Sequence, residues 1–134
     1  MKNTWRFNGN ERLYIRNVLE SGEGSATSGS VNNKFEQVFA KKIGADYGVT
    51  FNSGTSTLHA ALHAAGVGYG DEVIIPALTV IANLAVVIAQ NAIPIFADVD
   101  PDTFNIDPDD IAKKVTSRTK VIMPVPLYGL PCDY

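Results

Sequence analysis

The stretch from Tyr47 to Gly66 constrains the fold most, because its pattern changes from strand-like to helical within a few residues. Tyr47–Phe51 has the β-forming residues of a short buried strand, and the segment Asn52–Gly54 then supplies a turn. From Thr55 onward apolar residues recur at spacings of three and four, which predicts a helix that stops at Gly66. The sequence therefore predicts a strand, a tight glycine turn and the N-terminus of a helix.

A junction of this kind can bind an anion. The first N–H groups of a helix have no intrahelical partner, and they carry the positive end of the helix dipole. Gly54 lacks a Cβ and lets a ligand approach the backbone, while Thr55 and Ser56 offer hydroxyl donors, so phosphate is the natural ligand. In the alternative interpretation Ser53 or Thr55 simply caps the helix, and the local features alone favour that alternative.

Composition narrows the class of protein. The 134 residues are of single-domain size, and their 46% hydrophobic content can form a core. A net charge of −3 gives no basic surface for nucleic acid or an anionic membrane. The N-terminus is polar and lacks a secretory signal, and the single Cys132 excludes an internal disulfide, so we expect a cytoplasmic protein. The most apolar region, residues 80–97, is too broken to span a bilayer, being interrupted by Asn83, Gln90, Asn91 and Pro94.

The rest of the chain alternates helical and strand patterns. Periodicity predicts helices over residues 10–20, 31–43, 79–90 and 107–115 and a Gly/Ser loop over 21–30. It also predicts strands over 72–76, 93–97 and 120–125, of which the first and the last are buried. Thr79 is a possible N-cap, and Asp107 with Pro108 fits the start of the last helix. This alternation predicts an α/β fold with three layers, α-β-α, around a mostly parallel sheet. Ligands of such sheets bind at the carboxyl ends of the strands, where the predicted loops are 52–56, 76–80, 98–102 and 126–129.

Three other patterns fall short of a site. The loop over residues 21–30 lacks the lysine that a phosphate-binding loop requires. His59 and His63 share a helix face, but the sequence offers no third metal ligand near them. The acidic run at residues 98–102 resembles a calcium loop without its glycine and its glutamate. We interpret them as a linker, boundary residues and a solvated loop, and we predict no metal site.

Several motifs occur together and in order, and as a set they are far more specific than any one of them. They are S-G-T at 53–55, G-D-E-V-I-x-P at 70–76, F-x-D-V-D-P-D-T-F-N-I-D-P at 96–108 and L-Y-G-x-P at 127–131. With them, the chain from about Gly29 to Tyr134 resembles the DegT/StrS family of pyridoxal-phosphate-dependent sugar aminotransferases. The resemblance implies the N-terminal part of the large domain of a type I aminotransferase fold. It divides the chain into an N-terminal helix and loop, residues 1–30, and an incomplete large domain, residues 31–134, cut before the catalytic lysine.

The resemblance also implies a function. Family members move an amino group, usually from glutamate, to a keto group of a nucleotide-linked sugar, and they work as homodimers. By this likeness Gly54, Thr55 and Ser56 would bind the phosphate of pyridoxal 5'-phosphate, and Val80 stands where the family usually has an aromatic residue against the pyridine ring. No catalytic residue is expected in this chain, because the Schiff-base lysine and the pyridine-pairing Asp would lie beyond Tyr134. We therefore expect the 134 residues alone to be inactive.

Two alternatives remain open at this stage. A relative that dehydrates or rearranges a deoxysugar would use the same cofactor with another residue in place of the lysine, and the downstream segment would identify it. A non-catalytic domain would keep the fold and bind a sugar nucleotide or a partner subunit. The visible absorbance of added pyridoxal phosphate would separate this last possibility from both enzymes.

Overall fold

The computed structural model describes residues 9–22 and 30–134, and it divides the chain into two compact units, residues 1–50 and 51–134. The first unit contains helix α1, Glu11–Ser21, and helix α2, Ser30–Ile43. Both match the predicted helices to within one residue. Most of the predicted Gly/Ser loop lies outside the described residues.

The apolar stripe of α2 is exposed in the first unit. Its large side chains are between 48% and 62% exposed, whereas Ala40 is buried. Phe35 and Phe39 stack on one another with ring centroids 5.7 Å apart. The amphipathic helix is therefore as predicted, but its apolar face has little cover within this unit. The exposed side chains are Val31, Phe35, Val38, Phe39 and Ile43.

The predicted buried strand at Tyr47–Phe51 is wrong. The segment has no regular secondary structure, and its alternate side chains, those at 47, 49 and 51, are exposed. Instead it lies against α2: Glu36 Oε1 accepts hydrogen bonds from the N–H and the hydroxyl of Thr50, both at 2.8 Å. A Cβ on Gly48 would lie 2.6 Å from the Glu36 carbonyl oxygen. Contact with the helix thus replaces strand pairing, and none of the described strands pairs with this segment.

The second unit is built around a parallel three-stranded sheet. The strands are β1, Glu72–Pro76, β2, Ile93–Ala97, and β3, Thr119–Ile122, in the order β2-β1-β3. The helices are α3, Gly54–Ala64, α4, Ile81–Ala89, and α5, Pro108–Lys114, and a short 3-10 helix covers Leu127–Gly129. The bounds of β1 and β2 are those predicted.

Strand β1 separates two helical layers. All five of its residues are buried, and successive side chains of a strand point to opposite faces. Val73 and Ile75 cluster with residues of α3 and α4, whereas Ile74 clusters with Ala97 of β2 and Ile111 of α5 on the other face. The predicted three-layer α-β-α architecture is confirmed.

Two boundaries in the second unit differ from the prediction. Helix α4 begins at Ile81 with Val80 as its N-cap, so Thr79 does not cap it. The strand predicted over residues 120–125 as buried is shorter, Thr119–Ile122, and its residues are half-buried or exposed. Strand β3 lies at an edge of this sheet, and among the described strands β1 alone pairs with it.

Helix ends agree more closely with the sequence. The end of α3 has the hydrogen bonds of a Schellman motif, from Val67 N–H to the Leu62 carbonyl and from Gly66 N–H to the His63 carbonyl, both at 3.0 Å. Gly66 adopts a φ of 74°, which only glycine reaches without strain. Asp107 caps α5 as predicted, its Oδ1 accepting from Asp109 N–H at 2.9 Å.

Candidate functional site

The carboxyl ends of the three strands lie at one edge of the sheet. The segments that follow β1, β2 and β3 all leave the sheet there. Helices α3 and α4 pack on the same face, and each leads back to the start of a strand, so both begin at this edge too. In parallel α/β sheets this is where ligands bind.

The first turn of α3 is capped from within. Ser53 is the N-cap, and its Oγ accepts a hydrogen bond from Ser56 N–H at 3.2 Å. The Ser56 hydroxyl lies 3.1 Å from Ser53 Oγ and donates to Asn52 Oδ1 at 2.7 Å. Ser56 therefore already uses both its N–H and its hydroxyl inside the turn. Of the two caps considered from the sequence, the structure selects Ser53.

The cap leaves other donors of this turn free. In the described part of the chain, the N–H groups of Gly54 and Thr55 and the Thr55 hydroxyl make no hydrogen bond. A Cβ added to Gly54 would meet no atom within 4 Å, so there is open space beside the backbone. Capping and anion binding are therefore compatible, because the cap satisfies only one of the unpaired N–H groups at the helix start.

Val80 occupies the corresponding position on α4. It is the N-cap residue, with φ −74° and ψ 142°, and its side chain is 53% exposed. The segment that contains it begins at Ala77, whose N–H donates to the Ala97 carbonyl at the end of β2 at 2.8 Å. The structure therefore places Val80 at the same edge as the α3 turn, on a neighbouring helix.

Sequence reasoning missed the role of Asn83. In the sequence this residue is only an interruption of an apolar run, but in the structure its side chain is buried and 2% exposed. Its Oδ1 accepts from the Thr79 hydroxyl at 3.1 Å, and its Nδ2 donates to Met123 Sδ at 2.9 Å. The available signal was one amide side chain within the otherwise apolar helix IANLAVVIA.

The acidic segment after β2 uses its carboxylates within the loop. Asp100 Oδ1 accepts from the Asp102 N–H at 3.0 Å and from the Thr103 N–H and hydroxyl at 2.7 and 2.9 Å. The Thr103 backbone bond is the main cause of the lowered pKa of Asp100. This is the solvated turn that the sequence predicts. Across residues 9–22 and 30–134, no group of three or more His, Cys, Asp or Glu side chains could hold a metal.

Comparisons with known proteins extend this picture. The family model described as the DegT/DnrJ/EryC1/StrS aminotransferase family matches residues 7–134. GDP-perosamine synthase from Escherichia coli O157:H7 is 42% identical over 93% of this chain and 34% of its own length. GDP-perosamine synthase from Caulobacter vibrioides is 44% identical over 96% of this chain, again 34% of its own length. The chain thus spans about a third of the curated relatives that it matches.

Solved structures give the same result. The crystal structure of 3-amino-5-hydroxybenzoic acid synthase has 41% identity and a TM-score of 0.87, covering 91% of this chain and 32% of that one. NtdA from Bacillus subtilis with bound cofactor PMP has 38% identity and a TM-score of 0.86, covering 91% and 28%. E. coli GDP-4-keto-6-deoxy-D-mannose-3-dehydratase with bound hydrated PLP has 28% identity and a TM-score of 0.77, covering 84% and 30%.

The family model covers nearly the whole chain, and the structural neighbours share its fold. No helix among the described residues has the length and apolarity needed to cross a bilayer. The motifs, the three-layer fold and both kinds of comparison agree, and the chain belongs to the DegT/DnrJ/EryC1/StrS aminotransferase family.

Proposed function

We propose that this chain forms the phosphate-binding part of a pyridoxal-phosphate-dependent sugar aminotransferase. The enzyme would transfer an amino group from glutamate to a keto group of a nucleotide-linked sugar. The single observation that carries the proposal is the pair of unused N–H groups on Gly54 and Thr55, at the edge where parallel sheets bind ligands. Family membership and two relatives named GDP-perosamine synthase support the reaction and the substrate class.

The α3 turn fits a phosphate group in its donors and its shape. Two backbone N–H groups and the Thr55 hydroxyl are free to donate, and the side chain missing from Gly54 leaves room for an oxygen close to the backbone. The dipole of an eleven-residue helix adds positive potential at this end, worth about 0.3–1 kcal/mol to an anion. Ser56 contributes once its hydroxyl turns away from Asn52 Oδ1.

Val80 is proposed to cover the pyridine ring of the cofactor. Its exposed isopropyl group supplies apolar contact area without the π-stacking of an aromatic residue. When bound, the cofactor supplies an electron sink for chemistry at the carbon that carries the amino group. In this proposal the described residues bind and orient the cofactor at its phosphate and its ring face, and none of them transfers a proton in the reaction.

The remaining functional groups are proposed to lie outside residues 1–134. By the family resemblance these are the Schiff-base lysine and the aspartate that pairs with the pyridine nitrogen. Residues 31–134 would then be an incomplete large domain, preceded by a separate N-terminal segment, residues 1–30. We also propose a cytoplasmic homodimer, in line with the family resemblance.

Amide NMR of the expressed chain tests the phosphate site. Pyridoxal 5'-phosphate, pyridoxal and inorganic phosphate are added separately to the 15N-labelled protein. We expect both phosphate-bearing ligands to shift the amide signals of Gly54 and Thr55, and pyridoxal to shift them far less. Equal responses to pyridoxal and pyridoxal 5'-phosphate, or no response at these two amides, would overturn the proposal.

One observation favours a second candidate function. The dehydratase from E. coli shares the fold at 28% identity, and its structure contains bound hydrated PLP. A deoxysugar dehydratase would use the same phosphate site and release a keto sugar without nitrogen, whereas the aminotransferase would form an amino sugar. Product analysis of the complete enzyme with a GDP-linked keto sugar and glutamate separates the two. The higher identities to GDP-perosamine synthases, 42% and 44%, favour amino transfer.

A further inference from the structure

The side chain of Asn83 is a buried amide in the first turn of an apolar helix. It is 2% exposed, and the other buried polar residue of the described chain, Glu72, begins β1 at the opposite edge of the sheet. A buried amide is destabilising unless its polar atoms are hydrogen-bonded. The hydrogen-bond partners of Asn83 therefore define its role.

Those partners belong to two different strand ends. The Asn83 Oδ1 accepts from the hydroxyl of Thr79, which lies in the segment leaving β1. Its Nδ2 donates to the thioether of Met123, which lies just beyond β3. The Met123 N–H in turn donates to the carbonyl of Ile74 in β1. A thioether is a weak acceptor, so the bond with Thr79 is the stronger polar connection.

Helix α4 has no side-chain cap, and the bond between Thr79 and Asn83 instead fixes the residue that precedes the N-cap. Val80, the N-cap residue of α4, cannot accept a hydrogen bond through its side chain. Asn83 is the third residue of this helix, and from there its side chain reaches back to the residue before the cap. A capping box uses the same position to fix the chain entering a helix, although its acceptor bonds the N-cap N–H. The Asn83 N–H also donates to the Val80 carbonyl at 3.1 Å.

We infer that Asn83 is a positioning residue for the cofactor: it holds Thr79, and through Thr79 it fixes the height of Val80 over the pyridine ring. The inference rests on the function proposed above, because Val80 matters only if a ring lies against it. Asn83 itself would touch neither the ring nor the phosphate. Its effect should therefore fall on ring binding and leave phosphate binding at α3 unchanged.

Two substitutions remove the bond from either side. Asn83→Leu keeps the branching of the side chain without its polar atoms, and Thr79→Val keeps the shape of the side chain without its hydroxyl. Thr79→Ser is the matched control, since it retains the hydroxyl. We expect Asn83→Leu and Thr79→Val each to weaken pyridoxal 5'-phosphate binding about 3- to 10-fold, as the loss of one hydrogen bond would. The double variant should be no weaker than either single one.

The affinity for inorganic phosphate separates ring positioning from a purely structural role, because a structural defect would weaken the binding of both ligands. Its dissociation constant, followed at the Gly54 and Thr55 amides, should stay within 2-fold of the unsubstituted chain in every variant. Equal weakening of both ligands, a loss with Thr79→Ser as large as with Thr79→Val, or no change in cofactor binding would each overturn the inference. If the unsubstituted chain shows no phosphate-dependent shift at these amides, the proposed function itself fails, and the inference fails with it.

Discussion

Glu72 and Arg118 form an ion pair between the start of β1 and the residue before β3. The Arg118 Nε donates to Glu72 Oε1 at 2.9 Å, a second guanidinium nitrogen bonds the same oxygen, and the Thr116 hydroxyl donates to Oε2 at 2.6 Å. The Glu72 side chain is 3% exposed and that of Arg118 is 64% exposed. The pair joins the two strands at the edge opposite the candidate site.

This pair predicts a loss of stability in acid. Hydrogen bonds from Thr116, and then from Arg118, hold the pKa of Glu72 below its ordinary value against the opposing effect of burial. A lowered pKa in the folded state stabilises the fold above the unfolded pKa, and that contribution disappears as the pH falls through the folded pKa. We expect the urea concentration at the unfolding midpoint to decrease as the pH is lowered below about 4, near the unfolded pKa of glutamate.

Glu72→Gln isolates the contribution of this carboxylate. The variant should be less stable at pH 7 and should lose less of its remaining stability than the parent between pH 5 and pH 3. Asp102→Asn is the matched control, because Asp102 is exposed and its side chain makes no hydrogen bond among the described residues. Parallel pH profiles for the parent and Glu72→Gln would contradict the prediction.

Gly54→Ala should separate ligand binding from folding. An added Cβ meets no atom of the protein at this position, and alanine favours helix, so thermal stability should stay equal or rise slightly. The same Cβ would fill the space proposed for a phosphate oxygen. We expect phosphate and pyridoxal 5'-phosphate affinities to fall on the order of 10-fold, about 1.4 kcal/mol.

Gly68→Ala is the control for that experiment. A Cβ on Gly68 also meets open space, but this glycine lies in the turn that precedes β1, away from the carboxyl edge. The phosphate affinity of Gly68→Ala should match that of the unsubstituted chain. Unchanged phosphate binding in Gly54→Ala, measured at the Thr55 amide, would contradict the assignment of this turn.

Gly48→Ala should destabilise the segment before α3. Its Cβ would lie 2.6 Å from the Glu36 carbonyl oxygen, a backbone atom that cannot move aside cheaply. Overpacking of this kind costs typically about 1–3 kcal/mol. Hydrogen exchange at the Thr50 amide, which donates to Glu36 Oε1, would report the loss directly, and exchange as slow as in the parent would contradict it.

Val80→Phe should strengthen cofactor binding. The Val80 side chain is half exposed at the start of α4, so there is room for the larger side chain of phenylalanine. Stacking of an aromatic ring on the cofactor adds about 0.5–1.5 kcal/mol. We expect the dissociation constant of pyridoxal 5'-phosphate to drop about 2- to 10-fold, with that of inorganic phosphate unchanged. Val80→Ala should have the opposite effect on the cofactor alone, and a response to inorganic phosphate in either variant would contradict a role at the ring.

The 134-residue chain alone should show no amino transfer. The proposed lysine and aspartate lie outside it, and no lysine of this sequence stands in a matching motif. Turnover is measured with the purified chain, pyridoxal 5'-phosphate, glutamate and a GDP-linked keto sugar. Detectable amino sugar, absent from a control without the protein, would contradict the prediction.

Local features of the fold were predictable from neighbouring residues. The bounds of β1 and β2 follow from short apolar runs between turn residues, and Asp107 caps α5 as its sequence indicates. The family could also be predicted, because its motifs are contiguous stretches of sequence. The phosphate turn remains a prediction, although its free N–H groups agree with it.

Other features depended on contacts between distant residues. Tyr47–Phe51 has strand-forming residues, but a strand needs a pairing partner, and the segment instead lies along α2 through Glu36 and Gly48. Thr79 looked like an N-cap, yet its hydroxyl bonds a side chain.

The sequence alone determined the helices, the central strands and the family, because helical periodicity, short apolar runs between turn residues and family motifs are each contiguous in the chain. Only the tertiary structure decided which donors of the α3 turn are left free, and that Asn83 is buried between Thr79 and a methionine 40 residues away. Burial and hydrogen-bond partners are properties of the packed chain. Local spacing cannot specify them, because the partner is chosen by how the strands and helices pack.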